Sequence, residues 1–247
     1  MQRIGHILPS TTLGADRWAV RICAPVAVET AHPTARAALA EQLYGPALTE
    51  SQTAELGRAA QQLAHAGADA VVWNGESCGL HGVAHARAVV RAIEATAGVP
   101  ASTVTLGQLD LLARRGLPSL ALIVPGSRER AGRIADTYLA AGLRVSSVTA
   151  LGLATAREAA ELPVARLRRL LLDADTDDAR CVVVAGTELP VAPVAALVER
   201  ELGKPVFDGA RVAVHTGLQL LGLRVNSPEW GVLFTGDEHA GVCCDSH

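Results

Sequence analysis

The sequence has few aromatic residues and no long hydrophobic run. Aromatic side chains make up 3% of the 247 residues, although 49% of the residues are hydrophobic. The core must therefore be built from Ala, Val and Leu, and aliphatic cores are typical of parallel sheets, whose buried strands are short apolar runs. The longest apolar runs, such as 120–125, are far shorter than the roughly 20 residues that a membrane-spanning helix requires. We therefore expect no membrane segment.

Strong charge, a secretion signal and a disulfide framework are also missing. The net charge is −3 with 19% charged residues, so no electrostatic attraction to nucleic acid is expected. The chain opens with Met1-Gln2-Arg3-Ile4 and runs directly into an apolar strand, without the features of a secretion signal. Its five scattered cysteines are an odd number, which favours reduced thiols and a cytoplasmic location.

Motifs for a cofactor or a metal ion are absent as well. The chain has neither a Walker loop nor a Gly-x-Gly-x-x-Gly segment after a strand. Near the C-terminus, Cys243 and Cys244 lie close to His239 and His247, but two adjacent cysteines are an awkward pair for one tetrahedral ion. We therefore expect no cofactor and no metal.

Short apolar runs alternate with longer amphipathic stretches, which is typical of βαβ units. This pattern predicts strands at 3–8, 20–28, 69–73, 119–124, 144–148 and 180–185. Between them it predicts helices at 51–65, 83–97, 128–141 and 191–202, with one more around 167–172. Because no Gly/Ser-rich or Pro-rich linker interrupts the alternation, the two halves should be packed lobes.

The two halves of the sequence also resemble each other. Residues 4–10 and 120–126 are apolar runs that end in Pro and a small residue, and 70–76 and 181–187 are runs that end in Gly and a polar residue. A Gly-x-Pro tripeptide follows each second run. Three matches in the same order indicate a duplicated unit. We predict an α/β protein of two similar lobes related by a pseudo-twofold axis, each with a parallel sheet flanked by helices.

The duplication suggests boundaries for the lobes. The first lobe is expected to span 1–105, with 206–225 packing back on it, and the second to span 106–205, followed by a tail at 226–247. Ligands of open parallel sheets bind beyond the carboxyl ends of the strands, where loop amides and helix N-termini suit an anion. The loops at these ends supply the residues expected to bind a small carboxylate: Ser10, Thr11, Gly75, Ser77, Ser127, Gly186 and Thr187.

At these residues the chain resembles the aspartate/glutamate racemase superfamily, and within it the maleate cis-trans isomerase and arylmalonate decarboxylase branch. The resemblance rests on the opening 3–10, on the pair of glycine loops and on the segment 199–206, and it covers about 3–223. In that superfamily each lobe carries a cysteine at the end of its second strand. The thiols move a proton at the α-carbon, or one of them attacks a double bond.

The chain departs from the superfamily at both cysteine positions. The first corresponds to Gly75 and the second to Gly186. The decarboxylase branch also has glycine at the first position but keeps the second cysteine. The resemblance therefore implies the fold and a carboxylate-binding cleft, whereas ordinary chemistry with two thiols is not expected.

Three residues near these glycines are candidates for the chemistry. Glu76 and Glu188 follow the two glycines, and burial of a carboxylate can raise its pKa until it works as an acid or base; alternatively, each only complements a helix N-terminus. Cys78 is either a displaced nucleophile at the start of a helix or a small buried residue. Asp208 replaces a family serine and either binds substrate or caps a helix.

The leading hypothesis is a cofactor-independent isomerase or decarboxylase that acts at the α-carbon of a small mono- or dicarboxylic acid without a catalytic cysteine. Removal of carbon dioxide or of an α-proton leaves an enediolate, whose growing charge the loop amides and hydroxyls stabilise. Two alternatives stay open: a hydrolase or hydratase in which a glutamate activates water, and a carboxylate-binding protein without catalysis. The expected partner is a small carboxylate, with neither nucleic acid nor membrane, and a homo-oligomer is left open.

Overall fold

The structure, a computed structural model, describes residues 1–10, 12–13, 16–23, 30–31, 33–37 and 47–235. Within these residues the chain forms two parallel sheets, each flanked by helices. This arrangement confirms the predicted α/β fold of two similar lobes.

The sheet of the first lobe is centred on its N-terminal strand. Its strands are β1 (Gln2–Pro9), β2 (Thr30–Ala31), β3 (Thr34–Ala37), β4 (Ala70–Trp73) and β5 (Ala101–Thr103). The helices beside it are α1 (Asp16–Cys23), α2 (Glu50–His65), α3 (Ser77–His81) and α4 (Val83–Ala97). Strand β1 pairs with β2, β3 and β4, and β4 pairs with β5, all in parallel.

The second lobe repeats this pattern. Its strands are β6 (Ser119–Val124), β7 (Arg144–Ala150), β8 (Val182–Val184) and β9 (Val206–Asp208), and its helices are α6 (Arg128–Ala140), α7 (Ala156–Ala160), α8 (Val164–Ala174) and α9 (Ala192–Leu202). The strand order β7-β6-β8-β9 matches the order β3-β1-β4-β5 of the first lobe. Two helices, α5 (Val104–Arg114) and α10 (Gly209–Leu220), and the short 3-10 turns Pro228–Trp230 and Val232–Phe234 complete the described chain.

One apolar core joins the lobes, so that their strand ends face each other in a fixed geometry. It contains Ile4 and Val72 from the first sheet, Leu122 and Val183 from the second, and Val212 from α10. Helices α5 and α10 pack so closely that a Cβ atom on Gly107 would overlap the Thr216 side chain. As the composition predicted, aliphatic side chains dominate this core.

Several helices begin with a side-chain cap. The capping side chains of Thr49, Thr103, Ser127, Thr155 and Asp208 each accept a hydrogen bond from a backbone N–H of the first turn. Such caps satisfy amide groups that the helix itself leaves without a partner.

One predicted strand is wrong. Residues 20–28 were expected to form a strand, whereas residues up to Cys23 belong to helix α1, and 24–29 lie outside the described residues. Trp18, Ala19 and Ile22 are buried while Val20 is exposed, which is the spacing of a helix face and not of a strand. The short strands β5 and β9 and the helix α5 were not predicted, whereas α10 was expected as a helix after Asp208, without bounds.

The C-terminal part of the described chain returns to the first lobe. Strand β9 belongs to the second sheet, contrary to the expected assignment of 206–225 to the first lobe, because its residues pair with β8. The next helix, α10, then packs against β1, β4 and β5. The remaining boundaries stay predictions, and the end of the expected tail, 236–247, lies outside the described residues. Across the described chain, no helix is both long and apolar enough to cross a membrane.

Candidate active site

The strand ends of the two lobes enclose a cavity of about 640 Å³. Its walls come from the loops that follow β1, β4, β6, β7 and β8. The lining residues include Pro9, Trp73, Gly75, Glu76 and Ser77 from the first lobe and Ser127, Arg130, Leu153, Thr155 and Glu188 from the second. The cavity thus lies between the two glycine loops, where the duplicated strands predicted a carboxylate cleft.

In the first lobe, an indole ring occupies the space that a side chain at position 75 would need. A Cβ atom on Gly75 would overlap the six-membered ring of Trp73 and come within 2.8 Å of its Nε1 atom. The ring is fully buried, and Nε1 donates a hydrogen bond to Ser77 Oγ at 3.3 Å. Glycine at position 75 is therefore required by the packing of Trp73, whichever residues perform the chemistry.

In the second lobe, a carboxylate occupies the corresponding space. Gly186 has a φ of +72°, and a Cβ atom on it would overlap Oε2 of Glu188. A positive φ is unfavourable for residues with a side chain. The Glu188 side chain therefore folds back over Gly186 and lies where the resemblance would put the second cysteine.

A hydrogen bond between the lobes joins the two loops. Thr187 Oγ1 donates to the backbone carbonyl of Asn74 at 3.0 Å, and both residues are buried. The amide of the Asn74 side chain in turn donates to the carbonyl of Val72 at 2.9 Å. Thr187 was predicted to bind substrate, whereas here its hydroxyl holds the two loops together.

The two candidate glutamates lie together at one end of the cavity, with an arginine beside them. Arg130 forms an ion pair with Glu76 Oε2. Glu76 Oε1 and Glu188 Oε2 are buried and have no hydrogen-bond partner among the described residues. A Cβ atom built on Gly186 would lie 3.5 Å from the Cβ of Glu76 and would overlap Glu188 Oε2, so the two side chains approach each other over this glycine.

Burial and the neighbouring charge change the acidity of Glu188. Desolvation, together with the negative charge of Glu76, raises the pKa of Glu188 from 4.5 to about 7. The backbone amides of residues 187 and 188 and the charge of Arg130 act in the opposite direction and only partly offset this effect. A carboxyl group whose pKa lies near neutrality can act as an acid and as a base in one reaction cycle.

Cys78 does not have the surroundings that were predicted for a nucleophile. Its side chain is fully buried, and burial raises the pKa of the Cys78 thiol to about 12. A thiol with such a pKa is protonated at neutral pH, and only the thiolate is a good nucleophile. The surroundings match the alternative expectation of a small buried residue.

Several residues predicted to bind substrate lie elsewhere. Ser10 is exposed and is not among the lining residues, and Thr11 lies outside the described residues. Asp208 caps α10 by accepting a hydrogen bond from the Arg211 amide at 3.2 Å, and its carboxylate also pairs with the Arg211 side chain, as the capping alternative expected. Gly75, Ser77 and Ser127 line the cavity.

Sequence reasoning missed two important residues of the site. Arg130 lies in the first turn of α6, three residues after the cap Ser127, and no sequence pattern shows that its side chain reaches the other lobe. Trp73 was assigned only to a strand, although its ring fills the Gly75 position. In the described part of the chain, no cluster of three His, Cys, Asp or Glu side chains that could hold a metal ion occurs.

Comparison with known proteins identifies the relatives of this chain. The model of the arylmalonate decarboxylase family matches residues 38–234. A curated maleate isomerase of Geobacillus stearothermophilus is 26% identical over 129 residues, which is 52% of this chain and 51% of that protein. The matched segment thus spans about half the length of this curated relative.

Solved structures with the same fold cover almost the whole chain. The maleate isomerase Iso of Pseudomonas putida S16, as a cysteine-to-alanine variant with maleate, superposes with a TM-score of 0.86 at 19% identity and covers 95% of this chain and 98% of its own. Unliganded arylmalonate decarboxylase gives a TM-score of 0.78 at 22% identity and covers 95% and 99%. At such identities the superpositions establish the fold.

Proposed function

The chain belongs to the arylmalonate decarboxylase family, and we propose that it is a cofactor-independent enzyme acting at the α-carbon of a small carboxylic acid, with Glu188 in the role of the missing cysteine. The position of the Glu188 carboxyl group carries this proposal: it lies over Gly186, faces the cavity and has a pKa raised to about 7 by burial. Family membership does not favour the hydrolase, hydratase or non-catalytic alternatives.

Decarboxylation is the reaction that fits these residues best. One carboxylate of a malonate would lie at the polar end of the cavity, near the hydroxyls of Ser77 and Ser127. Cleavage of the bond between the α-carbon and the other carboxylate releases carbon dioxide and leaves its electron pair in an enediolate, which nearby donors stabilise. Glu188 then donates its proton to the α-carbon and regains a proton from water.

Two observations favour decarboxylation over cis-trans isomerisation. Isomerisation by covalent addition needs a strong nucleophile, and the thiol of Cys78, next to the first glycine loop, is buried with its pKa raised to about 12. The lining of the cavity of about 640 Å³ also includes the apolar side chains of Trp73, Leu153 and Ala156. Such a wall suits a malonate with a large apolar substituent better than it suits maleate.

The test is an assay in D2O followed by NMR, with phenylmalonate, an alkylmalonate and maleate as substrates. The wild type is expected to release carbon dioxide from a malonate and to place deuterium on the α-carbon. Glu188→Gln keeps the shape of the side chain but cannot donate a proton to carbon, so we expect kcat to fall by about 100-fold or more with a much smaller change in KM.

The control is Glu129→Gln, which removes an exposed carboxylate from the first turn of α6 and is expected to keep wild-type rates. Unchanged turnover in Glu188→Gln would refute the assigned role. Isomerisation of maleate without decarboxylation of any malonate would refute the decarboxylase assignment.

The setting of the enzyme is part of the proposal. The substrate is a small carboxylate, which agrees with the family. A cytoplasmic location and independence from nucleic acid stay predictions from the sequence, and a homo-oligomer is left open. Size-exclusion chromatography with light scattering would establish the oligomeric state directly.

A further inference from the structure

Arg130 connects the two lobes at the active site. It extends from the first turn of α6 in the second lobe and pairs with Glu76 in the loop of the first lobe. The Arg130 side chain lies against Gly126. A Cβ atom on that glycine would come within 2.9 Å of Arg130 Cδ and 3.1 Å of Nε. The absence of a side chain at position 126 thus leaves room for the arginine to lie in this direction.

The charges at this end of the cavity are unequally distributed. The Glu188 carboxyl group and the Cβ atom of Glu76 both lie close to Gly186, and the charge of Glu76 acts on Glu188. The guanidinium group of Arg130 forms its ion pair with Glu76. Two neighbouring carboxylates cannot both ionise easily, so one proton stays with the pair near neutral pH. An ion pair favours the charged form of its own partner. The proton should therefore reside on the other carboxyl group.

We propose that Arg130 is a positioning residue that keeps Glu76 ionised and thereby assigns the single proton of the pair to Glu188. This inference rests on the proposed function, in which Glu188 is the proton donor. Glu76 then contributes no proton of its own, and its negative charge keeps the neighbouring carboxyl group protonated. The ion pair also holds the Glu76 side chain next to Arg130.

Three other titratable groups near the two glutamates, among the residues that the structure describes, are either uncharged or paired elsewhere. Tyr138, on α6, interacts electrostatically with Glu76, and burial raises the pKa of its hydroxyl group, so it is neutral. Burial raises the pKa of Cys78, on α3, to about 12. Arg157, which also lines the cavity, forms its own ion pair with Glu161 at the end of α7. Among the described cations, Arg130 is the one that forms an ion pair with either of the two glutamates.

The experiment follows the side-chain carboxyl signals of 13C-labelled glutamate by NMR as a function of pH, without substrate. In the wild type, one buried glutamate should titrate near neutrality, and Glu188→Gln identifies it by removing that titration. In Arg130→Gln the midpoint should rise by about one unit or more, because the pair loses its cation. In Glu76→Gln it should fall, because the neighbouring negative charge is gone.

Two further variants separate the electrostatic role from a structural one. Arg130→Lys keeps the positive charge and should return the midpoint towards the wild-type value. Arg128→Gln removes an exposed arginine from the first turn of the same helix and should leave the midpoint unchanged. A shift in Arg128→Gln as large as that in Arg130→Gln would indicate only a general loss of positive charge and would overturn the proposal.

The pH profile of decarboxylation supplies the link to catalysis. If Glu188 must be protonated, kcat/KM of the wild type falls above about pH 7, and in Arg130→Gln the fall moves to higher pH. An unaltered NMR titration in both Arg130→Gln and Glu76→Gln would overturn the inference, whatever the activity. Conversely, shifted titrations in a protein that turns over no substrate would refute the proposed function alone.

Discussion

At the residue scale, Gly75 and Gly186 each leave room for a larger side chain beside them. The Trp73 ring occupies the space above Gly75, and the Glu188 carboxylate occupies the space above Gly186. Each glycine makes room for a larger neighbouring side chain that lines the same cavity. An aromatic ring and a buried carboxyl group therefore fill the space at the two glycine positions.

This packing predicts that neither Gly75 nor Gly186 tolerates a side chain. Gly75→Ala should destabilise the protein by roughly 1–3 kcal/mol, because the buried Trp73 ring must move. Gly186→Ala should cost a similar amount, about 1–3 kcal/mol, and should also lower activity, because alanine is strained at positive φ and displaces Glu188. Urea unfolding of the purified variants measures both costs.

Helix α6 offers a matched control for these substitutions. Gly132 lies on the exposed side of α6, and a Cβ atom there would have no neighbour within 4 Å. Gly132→Ala should be neutral or stabilising by about 0.5–1 kcal/mol, since alanine is the better helix former. Wild-type stability in both Gly75→Ala and Gly186→Ala would contradict the described packing.

At the scale of elements, a buried ionic network ties the end of the described chain to the second lobe. Arg211 on α10 is fully buried and pairs with Asp208, which caps the helix, and with Glu199 on α9. It also donates a hydrogen bond to the carbonyl of Trp230 at 2.6 Å, and Glu199 accepts one from the Val232 amide at 2.8 Å. Arg211 and Glu199 together thus connect helices α9 and α10 with both 3-10 turns.

Removal of this arginine should be strongly destabilising. Arg211→Met leaves Asp208 and Glu199 buried without their counter-charge, and the loss of one partner from a buried ion pair typically costs about 3–5 kcal/mol. Thermal and urea unfolding measure the change. As a control, Arg168→Met breaks the exposed ion pair with Glu201, which should leave the stability close to that of the wild type because water screens such pairs. Similar stabilities of the two variants would refute a structural role for the network.

At the scale of the whole molecule, two buried groups make the free energy of unfolding depend on pH in opposite directions. Burial raises the pKa of Glu188 from 4.5 to about 7. The stabilisation that Glu188 contributes to the folded protein is complete below pH 4.5 and is lost as the pH rises to about 7. Burial, with the charges of Arg115 and Arg114, lowers the pKa of His215 from 6.5 to about 4. The stabilisation that His215 contributes to the folded protein is complete above pH 6.5 and is lost as the pH falls to about 4.

Two variants should therefore have opposite pH signatures. Relative to the wild type, Glu188→Gln should gain stability as the pH rises from about 4.5 to about 8, by on the order of 3 kcal/mol. His215→Leu should instead gain relative stability as the pH falls from about 7 to about 4. Urea unfolding at several pH values measures both curves, and parallel curves for wild type and variant would contradict the corresponding pKa shift.

Much of the fold was predictable because it depends on local patterns. The aliphatic runs that became β1, β4, β6 and β8 are buried strands, and the repeated order of motifs predicted the matching topology of the sheets. Residues 20–28 were misread because a short apolar run fits a strand as well as one face of a helix. Strands β5 and β9 have only three residues each, too few for a periodic pattern to be seen.

The sequence predicted the position of the cavity, since loops at the carboxyl ends of parallel strands form a cleft where two duplicated lobes face each other. The two glycine loops and the acidic residues beside them were visible as residue types. Only the tertiary structure decided what these residues do. Packing buried the Cys78 thiol, folded Glu188 back over Gly186, and brought Arg130 from the other lobe to Glu76. Acidity depends on burial and on charges that are distant in the chain, and neither is encoded in the spacing of neighbouring residues.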